Sequence, residues 1–309
     1  MRIAAMAAGA VGGYYGARLA AAGHDVFFIA RGTHRDVMLA EGLKVESVHG
    51  DVHLPKPNVT DDPAKVGPVD IVLFAVKLWD TEKAAEQMRP LVGPNTRVIT
   101  MQNGVDSYER IAPIAGAERT IPAVTYVATV IDRPGVIRQD SSFQSIHCGT
   151  IDGRPDAPLS AFVDAAKAAK IDIHLSDNIQ RDRWRKFIFL SATSGATAVT
   201  RETMGPILAD PDMRALFYGL MKETLAVGLA KGIALDPGLA DERLAFADSN
   251  VPKNMKASMA NDLDRGNRLE LDWLAGQVSR LGRELKVPTP INETIYAALK
   301  PHRMGKTVG

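Results

Sequence analysis

The chain has almost no cysteine, no long hydrophobic run and almost no net charge. Among 309 residues only Cys148 is a cysteine, which excludes an intramolecular disulfide and a cluster of cysteine metal ligands. No apolar run approaches the ~18 residues that a transmembrane helix requires. A formal net charge of +1 offers no strong field to attract nucleic acid or an anionic membrane. We therefore expect a cytoplasmic protein with no metal, no nucleic-acid partner and no membrane attachment.

What the chain does contain is a glycine-rich turn between two short apolar runs. Residues 3–6 are typical of a strand, 7–13 of a turn, 14–22 of a helix and 26–29 of a second strand. This order aims backbone N–H groups and a helix N-terminus at a phosphate. It predicts a dinucleotide site with cofactor contacts from Ala7, Ala8, Gly9, Ala10, Val11 and Gly12.

The loop departs from the G-x-G-x-x-G fingerprint at its first position, where Ala7 stands. Gly9 and Gly12 retain the other two functions, which are close approach to the pyrophosphate and close packing of helix on strand. Alanine is tolerable at position 7 if its φ stays negative, because only a positive φ strongly penalises a Cβ. A signal peptide and a packing turn without ligand are the alternatives. Arg18 and the crowded glycines disfavour the first.

The end of the second strand indicates which cofactor binds. An acidic residue there would bond the ribose 2′-hydroxyl of NAD, whereas an arginine accommodates the 2′-phosphate of NADP. Arg31 occupies this region, with Thr33 and Arg35 close by and no carboxylate in residues 30–35. The sequence therefore favours NADPH over NADH, although Arg31 could also be a solvated strand-end residue.

Apolar runs alternate with helical patterns through the first half of the chain, which predicts βαβ units and a parallel sheet. The predicted strands are 71–76, 97–101, 121–131, 136–147 and 171–175, and the predicted helices are 81–89 and 161–169. Helical patterns dominate afterwards, over 212–231, 269–285 and 290–299. The predicted fold is α/β: a Rossmann-type doubly wound sheet over residues 1–177, followed by an all-helical domain over 178–309.

Polar residues at predicted strand ends are candidates for cofactor contacts. Ligands of an open parallel sheet bind outside the carboxyl ends of its strands. Lys77 follows residues 71–76 directly, and Asn103 follows the next strand. We expect both at the cofactor crevice. A solvated lysine and a simple Asn103-Gly104 turn are the ordinary alternatives.

Lys186 is the main candidate for proton transfer in the helical half. It lies two residues after Trp184 and precedes an apolar run. Arg183 and Arg185 add positive charge nearby, which predicts a lowered pKa for the lysine because like charges disfavour its protonated form. A solvated basic helix face is the alternative interpretation.

Together these motifs resemble the ketopantoate reductase (2-dehydropantoate 2-reductase) family over nearly the whole chain. The resemblance is carried by the glycine loop, Arg31, Lys77, Gln102-Asn103-Gly104-Val105, Trp184-Arg185-Lys186, Ser258-Met259 with Asp262, and Leu269-Glu270-Leu271-Asp272. It implies an NADPH-binding Rossmann domain, a helical domain and reduction of a 2-oxo acid.

The resemblance also implies roles for individual residues. Lys186 would be the catalytic proton donor to the carbonyl oxygen, with Glu270 placed near both the lysine and the cofactor. Asn103 would touch the nicotinamide ribose and the substrate, and Ser258 would bind the substrate carboxylate. The glycine loop and Arg31 would contact the pyrophosphate and the 2′-phosphate, and Lys77 would lie on the cofactor side.

Two positions after the lysine depart from the family, which usually has asparagines there. Leu190 and Ser194 stand four and eight residues on. A leucine cannot hydrogen-bond a substrate hydroxyl, although Ser191 or Ser194 could supply one. Three functions follow: reduction of ketopantoate in pantothenate biosynthesis, reduction of a different 2-oxo acid, or NADP binding without turnover. The expected partner is a small 2-oxo acid, and a homodimer is possible.

Overall fold

The computed structural model describes residues 1–306, which form two compact units that divide between Ile179 and Gln180. The sequence analysis placed the domain boundary between residues 177 and 178. The first unit combines a sheet with helices, and the described part of the second contains only helices and short 3-10 turns. The predicted fold class, a Rossmann-like α/β domain followed by a helical domain, is confirmed.

Ten strands and five α-helices make up the first unit. The strands are β1 (Arg2–Met6), β2 (Asp25–Ile29), β3 (Leu43–Ser47), β4 (Val52–Leu54), β5 (Asn58–Thr60), β6 (Val69–Phe74), β7 (Val92–Thr100), β8 (Thr120–Arg133), β9 (Val136–Cys148) and β10 (Ile173–Leu175). The helices are α1 (Ala10–Ala21), α2 (Gly32–Glu41), α3 (Thr81–Gln87), α4 (Ser107–Ala115) and α5 (Ala157–Ala168).

Six strands form a doubly wound parallel sheet in the order β5-β2-β1-β6-β7-β8. The strand order reverses at β1, so β1 and β6 flank the switch point outside whose carboxyl ends a ligand binds. β8 continues as a long antiparallel pair with β9, which also pairs with β3 and β10. The first strand-helix pair therefore lies at the centre of the sheet.

The core around β1 explains the small residues of α1. Residues 3–5 of β1 are fully buried. Gly16 faces them, and an added Cβ would lie 2.8 Å from Cε1 of Phe28. Tyr14 and Tyr15 fill the far side of the helix, where the Tyr14 hydroxyl donates to Oε1 of Gln144 at 2.8 Å. Small residues on one face thus let α1 lie close to the sheet.

Seven α-helices form the described part of the second unit. They are α6 (Ile179–Thr200), α7 (Met204–Ala209), α8 (Pro211–Ala230), α9 (Leu239–Asn250), α10 (Ser258–Arg265), α11 (Ala275–Leu285) and α12 (Pro290–Leu299). Within residues 1–306 every helix is too short or too polar to cross a membrane.

Three predicted helices have wrong bounds, and the first of them is α5, which begins at Ala157 rather than at residue 161. α1 begins at Ala10 rather than Tyr14, because the loop glycines continue directly into the first helical turn. The predicted helix 269–285 is broken: Leu271–Trp273 is a 3-10 turn, and Leu274 has φ −107° and ψ −103°, outside the helical region. The apolar positions repeat at the same spacing in both segments, so periodicity could not reveal a break of one residue.

Candidate active site

The loop between β1 and α1 has an unusual backbone at Ala7. The φ of Ala7 is +65°, so the condition under which alanine is readily tolerated there, a negative φ, is not met. A left-handed alanine costs roughly 1–2 kcal/mol, and such a residue persists only when its surroundings fix it. Two backbone bonds do so: Ala75 N–H donates to Met6 at 3.1 Å, and Ala8 N–H donates to Ile29 at 2.8 Å.

Gly9 and Gly12 meet different steric demands. A Cβ on Gly12 would lie 2.5 Å from the Ala7 carbonyl oxygen and 3.3 Å from Cβ of Ala75, so only glycine fits. A Cβ on Gly9 would meet nothing within 4 Å. Gly12 therefore serves the packing of α1 on β1, and the space beside Gly9 is open to a ligand.

The N-terminus of α1 offers donors to an anion. Gly9 is its N-cap residue and provides no side-chain cap, and the first turn contains no acidic residue. The 12 residues of α1 sum a helix dipole whose positive end lies beside the open space at Gly9. A pyrophosphate fits this arrangement because its charge complements the dipole and the open space admits it.

Arg31, the predicted 2′-phosphate contact, lies between the end of β2 and the start of α2. It is exposed, it is the N-cap residue of α2, and its guanidinium donates to Oε1 of Gln87 at the end of α3. The acceptor is a neutral amide, so the positive charge of Arg31 is retained. Arg35, by contrast, forms ion pairs with Asp36 and Asp61.

Lys77 and Asn103 follow neighbouring strands, β6 and β7, at the carboxyl edge of the sheet. Lys77 is exposed, and its ammonium lies 5.6 Å from the ring centre of Trp79. Asn103 is half-buried and precedes Gly104, whose φ of +85° closes the turn. Gln102 joins the two segments, since its amide donates to the Val76 carbonyl at 3.0 Å.

Lys186 and Glu270 interact within the second unit. Burial lowers the pKa of Lys186 to about 8, and the negative charge of Glu270 raises it in part. Glu270 is only 8% exposed and lies just before the 3-10 turn. The predicted cause of the lowered pKa was wrong: Arg185 is paired with Glu242 at 3.1 Å, and burial, not arginine charge, dominates the shift.

The face of α6 beyond Lys186 is poor in accessible polar groups. Leu190 is half-buried, and Ser191 and Ser194 are buried with hydroxyls that make no hydrogen bond within residues 1–306. Ser194 is fully buried, and its predicted contact with the substrate stays a prediction. The predicted helix 269–285 is interrupted before α11, so Glu270 lies outside an α-helix.

Ser258 is exposed at the start of α10. The preceding residue, Ala257, donates its N–H to the hydroxyl of Thr197 at 3.4 Å. Thr197 is fully buried on α6 and also donates to the Thr193 carbonyl at 2.7 Å. The helix that carries Lys186 therefore also anchors the segment that carries Ser258.

Four residues that contact the site segments were not predicted from the sequence. They are His34, Gln87, Thr197 and Gln102, the last in its role of joining the segments that follow β6 and β7. Each acts through a bond to a residue distant in the chain, for which a single sequence carries no local signal.

Among the described residues no group of histidine, cysteine and acidic side chains could hold a metal ion. Burial raises the pKa of Cys148 to about 12, so this thiol is not a ready nucleophile.

A doubly wound sheet with a glycine loop at a helix N-terminus, followed by a helical unit with the half-buried Lys186 and the buried Glu270, is typical of a two-domain oxidoreductase. The family model described as Ketopantoate reductase PanE/ApbA matches residues 3–153, and its C-terminal counterpart matches residues 178–303. The chain therefore belongs to the ketopantoate reductase family.

Individual relatives agree with this assignment along the full chain. The 2-dehydropantoate 2-reductase of Mesorhizobium japonicum is 30% identical, with 97% of each chain covered. An uncharacterized oxidoreductase of Bacillus subtilis is 28% identical over 99% of this chain and 100% of its own. The crystal structure of a PanE/ApbA family ketopantoate reductase from Ralstonia eutropha superposes with a TM-score of 0.90 at 32% identity, covering 98% of both chains.

Proposed function

We propose that this protein reduces a 2-oxo acid to the 2-hydroxy acid with NADPH, and that ketopantoate, the precursor of pantoate in pantothenate biosynthesis, is its leading substrate. The observation that carries this proposal is the pair of Lys186 and Glu270, in which burial lowers the pKa of the half-buried Lys186 to about 8 and the charge of Glu270 raises it in part. A general acid works best when its pKa lies near the working pH. Lys186 meets this condition.

Lys186 is proposed to act on the substrate carbonyl oxygen. The bound cofactor would supply a hydride to the carbonyl carbon, and negative charge would then develop on the oxygen. The Lys186 ammonium stabilises that charge and donates the proton that completes the hydroxyl. The carboxylate of Glu270 favours the charged lysine and so keeps the proton available.

The remaining site residues are proposed to hold the two ligands. Asn103, beside the carboxyl edge of the sheet, would bond the nicotinamide ribose and the substrate, and the exposed Ser258 would bond the substrate carboxylate. Lys77 would lie on the cofactor side. Loop residues Ala7, Ala8, Gly9, Ala10, Val11 and Gly12 would line the pyrophosphate site.

Arg31 is expected to discriminate between the two nicotinamide cofactors. Arg31→Ala should raise the KM for NADPH by about 10- to 100-fold, because charged hydrogen bonds contribute roughly 1.5–3 kcal/mol. The KM for NADH should change less than about threefold, since NADH has no 2′-phosphate for the arginine to bind. Steady-state kinetics with both cofactors measures this difference.

Gln87→Glu is a second variant that tests the cofactor preference. Its carboxylate, beside the Arg31 guanidinium, would cancel the arginine charge and repel the 2′-phosphate. It should shift the cofactor preference in the same direction as Arg31→Ala. Arg89→Ala is the matched control, since Arg89 is exposed and paired with Glu86. Equal losses for NADPH and NADH in Arg31→Ala would show that Arg31 does not bind the 2′-phosphate.

A second candidate substrate is a 2-oxo acid without a polar side-chain group. The presence of Leu190 favours this substrate, because a leucine side chain cannot form a hydrogen bond with the hydroxyl of ketopantoate. Ser191 and Ser194, the alternative hydroxyls on the same helix, are both buried. A site that bonds a hydroxyl rejects the analogue lacking it strongly, whereas an apolar pocket discriminates weakly.

Two substrates that differ by one hydroxyl test the proposal. NADPH oxidation would be followed with ketopantoate and with 3,3-dimethyl-2-oxobutanoate, which lacks only that group. We expect a higher kcat/KM for ketopantoate. A higher kcat/KM for the deoxy analogue would establish the second candidate, and Leu190→Asn should then move the preference back towards ketopantoate. Activity with neither compound nor with other 2-oxo acids would contradict reductase function.

A further inference from the structure

We propose that His34 is a positioning residue that sets the cofactor-binding loop through the Ala8 carbonyl, and that it does so only as a neutral imidazole. The inference rests on the proposed binding of NADP by that loop. His34 belongs to α2, 26 residues beyond Ala8, and it is half-buried.

The histidine bridges two segments on opposite sides of its ring. Its Nε2 lies 3.1 Å from the Ala8 carbonyl oxygen. Its Nδ1 accepts the backbone N–H of Gly135 at 3.1 Å. The Gly135 turn is itself held, because the Lys44 N–H donates to its carbonyl at 2.9 Å. The ring therefore connects the glycine loop to a turn that is fixed in the sheet.

These contacts determine which tautomer the ring adopts. Since Nδ1 accepts a hydrogen bond from Gly135, it must carry a lone pair, and the single ring proton lies on Nε2. That proton is donated to Ala8. A second proton on Nδ1 would face the Gly135 N–H, and the repulsion between these two donors would push the ring away from the Ala8 carbonyl.

The bond to Ala8 acts on the part of the loop that faces the ligand. The carbonyl of Ala8 and the N–H of Gly9 belong to one planar trans peptide and point in opposite directions. Fixing the carbonyl toward His34 therefore fixes the direction of the Gly9 amide. The Ala8 N–H is already bonded to Ile29, and Ala7 beside it is left-handed. His34 thus holds a peptide plane that the strained Ala7 would not hold alone.

Burial lowers the pKa of His34, and the Ala8 carbonyl raises it in part. The arginines close in sequence to His34 and to Gly135 have other partners. Arg35, next to His34, is paired with Asp36 and Asp61, and Arg133, two residues before Gly135, is paired with Asp132 and Glu46. Because the folded-state pKa lies below the unfolded one, the neutral brace is complete at high pH. It is lost as the pH falls through the folded pKa.

Two substitutions separate the two ring nitrogens. His34→Gln places an amide donor where Nε2 reaches Ala8, whereas His34→Asn places an amide oxygen where Nδ1 accepts from Gly135. We expect His34→Gln to bind NADP⁺ within about twofold of the unsubstituted protein. His34→Asn should raise the Kd about five- to tenfold, the effect of one directed hydrogen bond.

The experiment is a substrate-free calorimetric titration of the full chain with NADP⁺ from pH 5.5 to 8, with thermal melts of each variant. His53→Gln, an exposed histidine on β4, is the control. Below neutral pH the unsubstituted protein and His53→Gln should lose affinity more steeply than His34→Gln. Comparison with His34→Gln cancels titration of the cofactor phosphate.

Three outcomes would overturn the inference. If His34→Gln and His34→Asn both bind NADP⁺ as tightly as the unsubstituted protein, the bond to Ala8 has no effect. If both variants lose affinity for NADP⁺ equally, His34 has only a general structural role. An unchanged pH profile in His34→Gln would exclude titration of the ring. If the unsubstituted protein fails to bind NADP⁺, the proposed cofactor function fails and this inference with it.

Discussion

Lys186→Ala is expected to lower kcat by about 10²- to 10⁴-fold while leaving the Kd for NADP⁺ within about twofold, because positioned proton transfer contributes an effect of this size. The variant removes the ammonium that would stabilise and protonate the carbonyl oxygen. The glycine loop belongs to the first unit, whereas Lys186 belongs to the second. Steady-state kinetics with a separate NADP⁺ titration measures both quantities.

The pH dependence of activity supplies a second measurement on the same residue. A proton donor is active when protonated, so kcat/KM should fall as the pH rises above about 8, the pKa to which burial lowers Lys186. Glu270→Gln removes the charge that raises this pKa, so the falling limb should move to lower pH. A limb that does not move would contradict the electrostatic role of Glu270.

Lys231→Ala is the matched control for the lysine. Lys231 is an exposed residue that ends α8 in the same unit. Its removal should leave kcat and the pH profile unchanged. Full activity in Lys186→Ala would eliminate Lys186 as the acid, and loss of NADP⁺ binding in that variant would point to unfolding.

Gly12→Ala and Gly9→Ala should have different effects, although both place a methyl group in the same loop. The first should lower stability, and the second should weaken NADP⁺ binding. Gly12→Ala should destabilise the first unit by about 1–3 kcal/mol, because its Cβ would meet the Ala7 carbonyl oxygen at 2.5 Å. The packing of α1 on β1 has no room to relax, since that oxygen belongs to the backbone. Thermal unfolding measures this loss.

Gly9→Ala should leave stability within about 0.5 kcal/mol, because its Cβ meets no protein atom within 4 Å and its φ of −76° suits alanine. It should nevertheless weaken NADP⁺ binding by at least about tenfold, since the methyl group occupies the space through which the pyrophosphate would approach the backbone. Tight binding by Gly9→Ala would mean that the pyrophosphate does not pass there.

The first strand, the glycine loop and the second strand were predictable because each has a local signature. Apolar runs of five residues and a cluster of glycines mark them without any knowledge of the partner strands. The same holds for α12, where Thr289 and Pro290 mark the start of a helix. By contrast α9 has no apolar stripe of its own, and the short strands β3 to β5 depend on neighbours for their pairing.

The candidate site divides in a similar way. Lys186, Glu270, Arg31 and the loop glycines could be named from residue type and order in the chain. Their environments could not be. The pKa of Lys186 depends on burial, and the left-handed Ala7 depends on bonds to Met6 and Ile29. The arginines near the lysine in sequence suggested the wrong cause for its pKa, because Arg185 is paired with Glu242 and burial dominates the shift.

The sequence by itself determined the fold class, the family and the residue types available for proton transfer and phosphate binding, because these depend on local patterns and their order. Only the tertiary structure decided which glycine is needed for packing and which leaves open space. It also revealed His34 as the brace of Ala8. These properties depend on distances between residues far apart in the chain, which folding alone sets.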